Sequence, residues 1–406
     1  MMSPWKVTTA FFLILALLLR AGAQAVRSQT EIAVIPDEPV YTFNEQVHFS
    51  AQIRADQPIK EALLLIQSGG ETAQVRVIQA EIGEDRKTRA TLDLKESPLR
   101  AFSRVEYWYQ IVSEAGEVYI GPHFSFEYSD NRFEWQTISG TPFRIFWYEG
   151  DLAFAQEVLN VALAAVPHIR EILEVYLPDP LRIYVYRNAG EMQAALSGAS
   201  ENWVAGHADP DLGVILVSLP AGPEQRLEME RQIPHEMMHV ALYYTDANAY
   251  QHLPVWYNEG LASLAELYPS PEYQAILEEA FHADGLIPMG DLCLSFPTES
   301  SARLLAYAQA ASFSRYLFTQ YGSPGLNRLQ AAFASGFECQ VAAERALEIK
   351  FNDLERNWIQ NTFSPNAMAG LWREIAPWLI ILAVILIGPI IMILNNTLKR
   401  PRRQEI

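Results

Sequence analysis

From residue 30 to about 128, apolar and polar positions alternate in short runs broken by turn residues. The runs 47–53, 62–67, 75–82, 88–94, 105–112, 118–120 and 124–128 read as strands, because a period of two puts every second side chain on one face. Ser68-Gly69-Gly70 and Glu114-Ala115-Gly116-Glu117 supply turns between them. About seven short strands in such a span predict an all-β sandwich. A polar break at Ser129-Asp130-Asn131-Arg132 and an aromatic anchor at Trp135 mark its end.

From 136 to 364 the period lengthens and strands mix with helices. Strands are expected at 143–148, 181–186 and 213–219, and helices at 152–176 and 190–196. Helices then dominate, at 223–244, 254–267, 271–283, 301–321, 326–335, 341–349 and 352–362. A small sheet followed by a helical half predicts an α+β domain.

Both ends carry continuous apolar runs. Lys6, the run 10–19 and the small-residue site Ala23-Gln24-Ala25 have the layout of a signal peptide over residues 1–25. Residues 375–394 are long and apolar enough to form one transmembrane helix, with no charge between Glu374 and Lys399. Lys399, Arg400, Arg402 and Arg403 in the tail 395–406 predict a cytoplasmic C-terminus. The expected location is the cell membrane, single-pass, with the domain at 136–364 extracytoplasmic.

Composition changes this picture little. Half of the 406 residues are hydrophobic, so the chain forms cores. A net charge of −18 excludes a nucleic-acid partner in this reading, because phosphate binding needs a basic surface. Cys293 and Cys339 are the two cysteines; an exported even pair suggests a disulfide, and two unpaired buried thiols are the alternative.

The candidate chemistry is concentrated between Pro234 and Glu266. His235 and His239 stand four residues apart, on one face of a helix, with Glu236 one step round it. Glu259 follows His239 by twenty residues, on the next predicted helix. Hydrolysis with zinc needs three protein ligands, an open position and a nearby base. His235, His239 and Glu259 are the candidate ligands of one Zn2+ per chain, and Glu236 is the candidate base. Pro234 must kink this helix or begin a new turn.

A donor to the oxyanion is needed as well, and Tyr250, His252, Tyr257 and Tyr307 are open candidates. Tyr307 is favoured because it lies on a small-residue helix face. Ser263 faces the same way as Glu259 and is either a partner to the ligands or an ordinary helix serine; Glu266 reads as a solvated charge. His207 stands just before the strand expected at 213–219 and borders the cleft if that strand is the edge along which substrate pairs, and His48, His123, His168 and His282 read as structural.

Two resemblances follow from these residues. The string Val105-Glu106-Tyr107-Trp108-Tyr109-Gln110-Ile111 resembles late strands of immunoglobulin-like or fibronectin III-like modules. More specifically, His235-Glu236-x-x-His239 with Pro254-Val255-Trp256-Tyr257-Asn258-Glu259-Gly260-Leu261-Ala262 resembles the gluzincin zinc metallopeptidases of the peptidase MA-like group. That resemblance implies a zincin-like fold, a zinc cofactor held by His235, His239 and Glu259, Glu236 as catalytic residue, and a protein or peptide substrate. The expected activity is peptide hydrolysis through a zinc-activated water. The alternative is a non-catalytic cell-surface protein that binds partners through a peptidase-like fold and the β-sandwich.

Overall fold

The structure, a computed structural model, describes residues 32–69, 74–196, 206–222 and 224–363, with 376, 378 and 379. The expected signal peptide (1–25), and the expected span (375–394) and tail (395–406) apart from those last three residues, lie outside the described residues. The chain divides into two compact units, with the change at Phe133/Glu134.

The first unit is β-sheet-rich. Its strands are β1 (Ala33–Pro36), β2 (Val40–Thr42), β3 (Gln46–Arg54), β4 (Ile59–Ser68), β5 (Arg76–Ile82), β6 (Lys87–Asp93), β7 (Ser103–Ser113), β8 (Val118–Ile120) and β9 (Phe124–Tyr128). They pair antiparallel along β1-β3-β6-β5-β4-β7-β8, with β2 beside β3 and β9 beside β7. The first part of β5 pairs with β4 and its last two residues pair with β6, so this strand links the two halves of the sheet. Alternation decides which side is buried: Val47, Phe49, Ala51 and Ile53 point inward from β3, and Val105, Tyr107, Tyr109 and Ile111 from β7. Phe49 meets Tyr107 across the core, with ring centres 5.1 Å apart. The strands β1 and β2 were not expected; they are too short for alternation to register.

The second unit contains a five-stranded sheet ordered β10 (Gln136–Gly140), β11 (Phe143–Trp147), β12 (Leu181–Tyr186), β14 (Val214–Ser218) and β13 (Gly206–Asp209). The strands β11, β12 and β14 run parallel, and β10 and β13 are antiparallel at the two ends. This corrects the expected α+β arrangement: the sheet half is α/β. Parallel neighbours need a long crossover, which α1 (Leu152–Ile172) and α2 (Ala189–Ala195) supply. By length and composition α1 could cross a membrane, yet eight of its residues are buried in the core.

The remaining helices are α3 (Gln225–Thr245), α4 (Ala247–Tyr250), α5 (Val255–Ala265), α6 (Glu272–His282), α7 (Ser300–Ala334), α8 (Cys339–Leu347) and α9 (Phe351–Phe363). The expectation of two helices over 301–335 corresponds to a break in α7 at Gly322, whose φ is 61°. Pro234 does not end α3, whose helix runs from Gln225 to Thr245. Proline lacks the N–H that would bond the carbonyl four residues back. That carbonyl, on Glu230, instead accepts from the Leu267 N–H at 2.9 Å, just past the end of α5. The two helices that carry the candidate site are therefore tied together by the proline. A disulfide joins Cys293 to Cys339 at the start of α8.

Candidate metal centre

The helix α3 brings His235 and His239 to one face, and α5 brings Glu259 opposite them. The Glu259 Oε2 lies 3.5 Å from His235 Nε2 and 3.8 Å from His239 Nε2. One donor atom from each of the three residues falls within 4.8 Å of the others. Each outer imidazole nitrogen has a partner that can only accept. His235 Nδ1 donates to Glu266 Oε1 at 3.0 Å, and His239 Nδ1 donates to Asn258 Oδ1 at 3.1 Å. Each Nδ1 therefore carries a proton; His239 Nε2 faces the centre, and His235 Nε2, which bonds Glu259, would present its lone pair once a cation displaced its proton. Two imidazoles and a carboxylate, so oriented, form a donor set suited to Zn2+.

Glu266 is thus not the solvated charge expected from sequence: it is buried, at 5% exposure, and orients a candidate ligand. The signal was its spacing. Seven residues after Glu259 is two turns, the same face of the helix line. Ser263, four residues after Glu259, is buried with no hydrogen-bond partner for its Oγ among the described residues. Asn258 was also missed as a functional residue, although it directly precedes Glu259.

In the metal-free chain the charges of the centre balance one another. Burial opposes protonation of His235, but its hydrogen bonds to Glu259 and Glu266 carry it well above the usual histidine range. Burial lowers His239. Burial disfavours the Glu259 anion too, and the two histidines outweigh it, holding this carboxyl below its ordinary range. Glu236, 7% exposed, is pushed up to about 7, chiefly by burial, with His235 and His207 pulling the other way.

Glu236 is packed against the end strand of the sheet. A Cβ on Gly206 of β13 would lie 2.5 Å from Glu236 Oε1. Only glycine lets this strand approach the carboxylate so closely. A cavity of about 210 Å³ is lined by Gly206, His207, Glu236, Glu259, Tyr250 and Tyr307, together with the two site histidines. Of the four candidate oxyanion donors, Tyr250 and Tyr307 line this cavity. The Tyr250 hydroxyl accepts from Asn258 Nδ2 at 3.5 Å, and the Tyr307 ring packs edge-on against Phe296. Tyr257 points elsewhere and donates to the Leu326 carbonyl at 2.7 Å. His252 bonds the Asn248 carbonyl. His168 reaches from α1 to the Leu264 carbonyl at 3.2 Å, near the end of α5.

The triad His235, His239 and Glu259 makes a candidate metal centre at the junction of α3 and α5. A family model of the Peptidase MA superfamily matches residues 161–364, half of the chain, and the chain belongs to that superfamily. No curated protein matches it. Among solved structures, a Br derivative of BhCBM56 is similar at 9% identity and TM-score 0.19, over 24% of this chain and 96% of that one. OgpA from Akkermansia muciniphila is similar at 17% identity and TM-score 0.22, over 26% of this chain and 30% of its own length. A myokine structure is similar at 14% identity and TM-score 0.19, over 24% of this chain and 98% of that one. Likeness this slight carries no argument about function.

Proposed function

We propose that this chain is a zinc-dependent peptidase that hydrolyses peptide bonds with Glu236 as general base. The observation that carries the reading is the convergence of His235, His239 and Glu259 within 4.8 Å, beside the buried carboxylate of Glu236. These three residues would hold the ion, with Glu266 and Asn258 fixing the imidazoles. Bound zinc supplies a more acidic water and a polarised carbonyl.

Glu236 takes a proton from the attacking water as its oxygen adds to the carbonyl carbon. It returns that proton to the leaving amine as the C–N bond breaks. Burial favours the protonated form of this carboxyl, which helps it accept the proton of the water, and a neighbouring cation would favour its return. Tyr307 is the proposed donor to the oxyanion; its support is that it lines the same cavity, as Tyr250 also does. An extended substrate would add to the edge strand β13, which ends the sheet and lies against Glu236.

The apolar runs 10–19 and 375–394 and the basic tail 395–406 support an exported protein held by one C-terminal span, with its tail in the cytoplasm. The disulfide Cys293–Cys339 agrees with that compartment. In the same proposal, alternation and inward-facing aromatics support an immunoglobulin-like or fibronectin III-like sandwich for the first unit. The test is metal analysis and peptide cleavage by the purified chain, with and without Glu236→Gln. A chain that holds zinc and cleaves no peptide in a broad library would favour the non-catalytic binding protein.

A further inference from the structure

In an antiparallel sheet with one buried face, the other face is ordinarily polar. One half of the first unit obeys this. Neighbours in register on the outer side of β3 and β6 are His48 and Thr91, Ser50 and Arg89, and Gln52 and Lys87. The other half does not. Across β5, β4 and β7 the outer side chains in register are Val77, Leu65 and Trp108. One row on, Leu63, Gln110 and Ile120 cross β4, β7 and β8, and in the next row Val112 stands opposite Val118. Val77, Val118 and Ile120 are 59%, 60% and 63% exposed, and Leu65 and Trp108 are half-buried. The alternate residues of the same strands, among them Leu64, Ile66 and Tyr109, already fill the core. A second apolar face on a solvated sheet marks an interaction surface.

The edge of the sheet and the charges around the patch say what it fits. The strand β8 pairs with β7 and ends the strand order, so its far side presents unpaired N–H and C=O groups. Lysine or proline ordinarily guards such a strand; β8 reads Val118-Tyr119-Ile120 and holds neither. The Trp108 indole stacks on the His123 ring, with centres 4.2 Å and planes 3° apart, so the largest side chain of the patch is already ordered. The charged groups beside it are mainly acidic. Glu61 lies in the row of Val112 and Val118, and Glu106 lies two residues before Trp108 on the same face of β7. Glu114 and Glu117 are exposed in the turn that joins β7 to β8. Arg104, on that face of β7, stands opposite Glu127.

We infer that the outer face of β4, β7 and β8 docks an extended basic segment of a partner polypeptide, added as a strand along β8. The main chain of the segment completes the ladder at this edge. Every second side chain of an added strand falls on the outer face, about 4.8 Å beyond Ile120 and Val118, where apolar residues extend the patch. Lysine or arginine elsewhere in the segment meets Glu106, Glu114 and Glu117. A second copy of this chain would bring the same glutamates together, so the acidic surround disfavours self-pairing.

The test measures binding of labelled peptides to the full chain by fluorescence anisotropy, with Glu236→Gln in every protein so that the probes stay intact. A peptide alternating lysine with valine binds. Peptides alternating lysine with serine, or glutamate with valine, bind at least about tenfold more weakly. Ile120→Lys, at an exposed site, weakens the lysine–valine peptide about tenfold. Glu117→Lys, outside the strand, weakens it several-fold and reduces its salt dependence. Val40→Lys, at an exposed valine of β2, leaves binding unchanged. No binding of the lysine–valine peptide, equal binding of the lysine–serine peptide, or an affinity unmoved by Ile120→Lys and Glu117→Lys overturns the inference. A dimer that Ile120→Lys dissolves, with no peptide bound, assigns the face to a second copy and overturns it as well. None of these results bears on the peptidase reading, which rests on the second unit.

Discussion

Each histidine at the centre is held by a partner that leaves one nitrogen free to face inward, and the two partners differ. Asn258 is neutral, whereas Glu266 is a buried carboxylate. Glu266→Gln should keep the fold and lower zinc affinity about 10–100-fold, read by competition with a chelating dye. Gly206 abuts the proposed base, Glu236. A Cβ there meets the far end of the Glu236 side chain, which can swing aside, so the cost falls on catalysis more than on stability. Gly206→Ala should reduce kcat about 10–100-fold, part of the roughly 10²–10⁴-fold that a positioned base supplies, with zinc content and melting temperature close to the parent. At this scale the convergence of His235, His239 and Glu259, with Glu236 beside them, was legible, because His-Glu-x-x-His is itself a geometric statement. The supports were not. Glu266 looks like any helix-end glutamate until the helix line is carried past Ala265, and Gly206 declares nothing until β13 is laid against Glu236.

Among the elements, α5 has the tightest constraint. It is buried nearly all round and crosses α7 at Gly260, where a Cβ would lie 2.1 Å from Ser314 Oγ and 2.6 Å from the Ala310 carbonyl. Backbone cannot yield as a carboxylate can. Gly260→Ala should destabilise the domain by about 1–3 kcal/mol, measured by denaturant unfolding of the metal-free chain. The glycine that follows Glu259 is therefore a packing requirement of the crossing. Most helices and strands were legible from period and turn residues. Those missed were β1, β2, β10, β13 and α4, all five residues or fewer, where a period of 2 or 3.6 has no room to repeat. Parallel pairing was missed for another reason: strand direction is set by the crossover, which no single strand encodes. The passage of α3 through Pro234 depends on a distant partner, the Leu267 N–H, and is likewise invisible locally.

The whole chain sets a β-sheet-rich unit before a peptidase-like unit, and apolar runs stand near both of its ends. On the proposed topology, the full chain sediments with membranes and stays there in high salt, while a chain ended after residue 368 is released in soluble form. Recovery of the full chain in the soluble fraction would count against the anchor. The centre itself is tested most directly by paired metal analysis and peptide cleavage on the parent chain and on Glu236→Gln. The account predicts zinc near one per chain in both proteins, with cleavage reduced about 10²–10⁴-fold in the variant. Equal cleavage by the two proteins, or a parent chain that takes up no zinc, would contradict it.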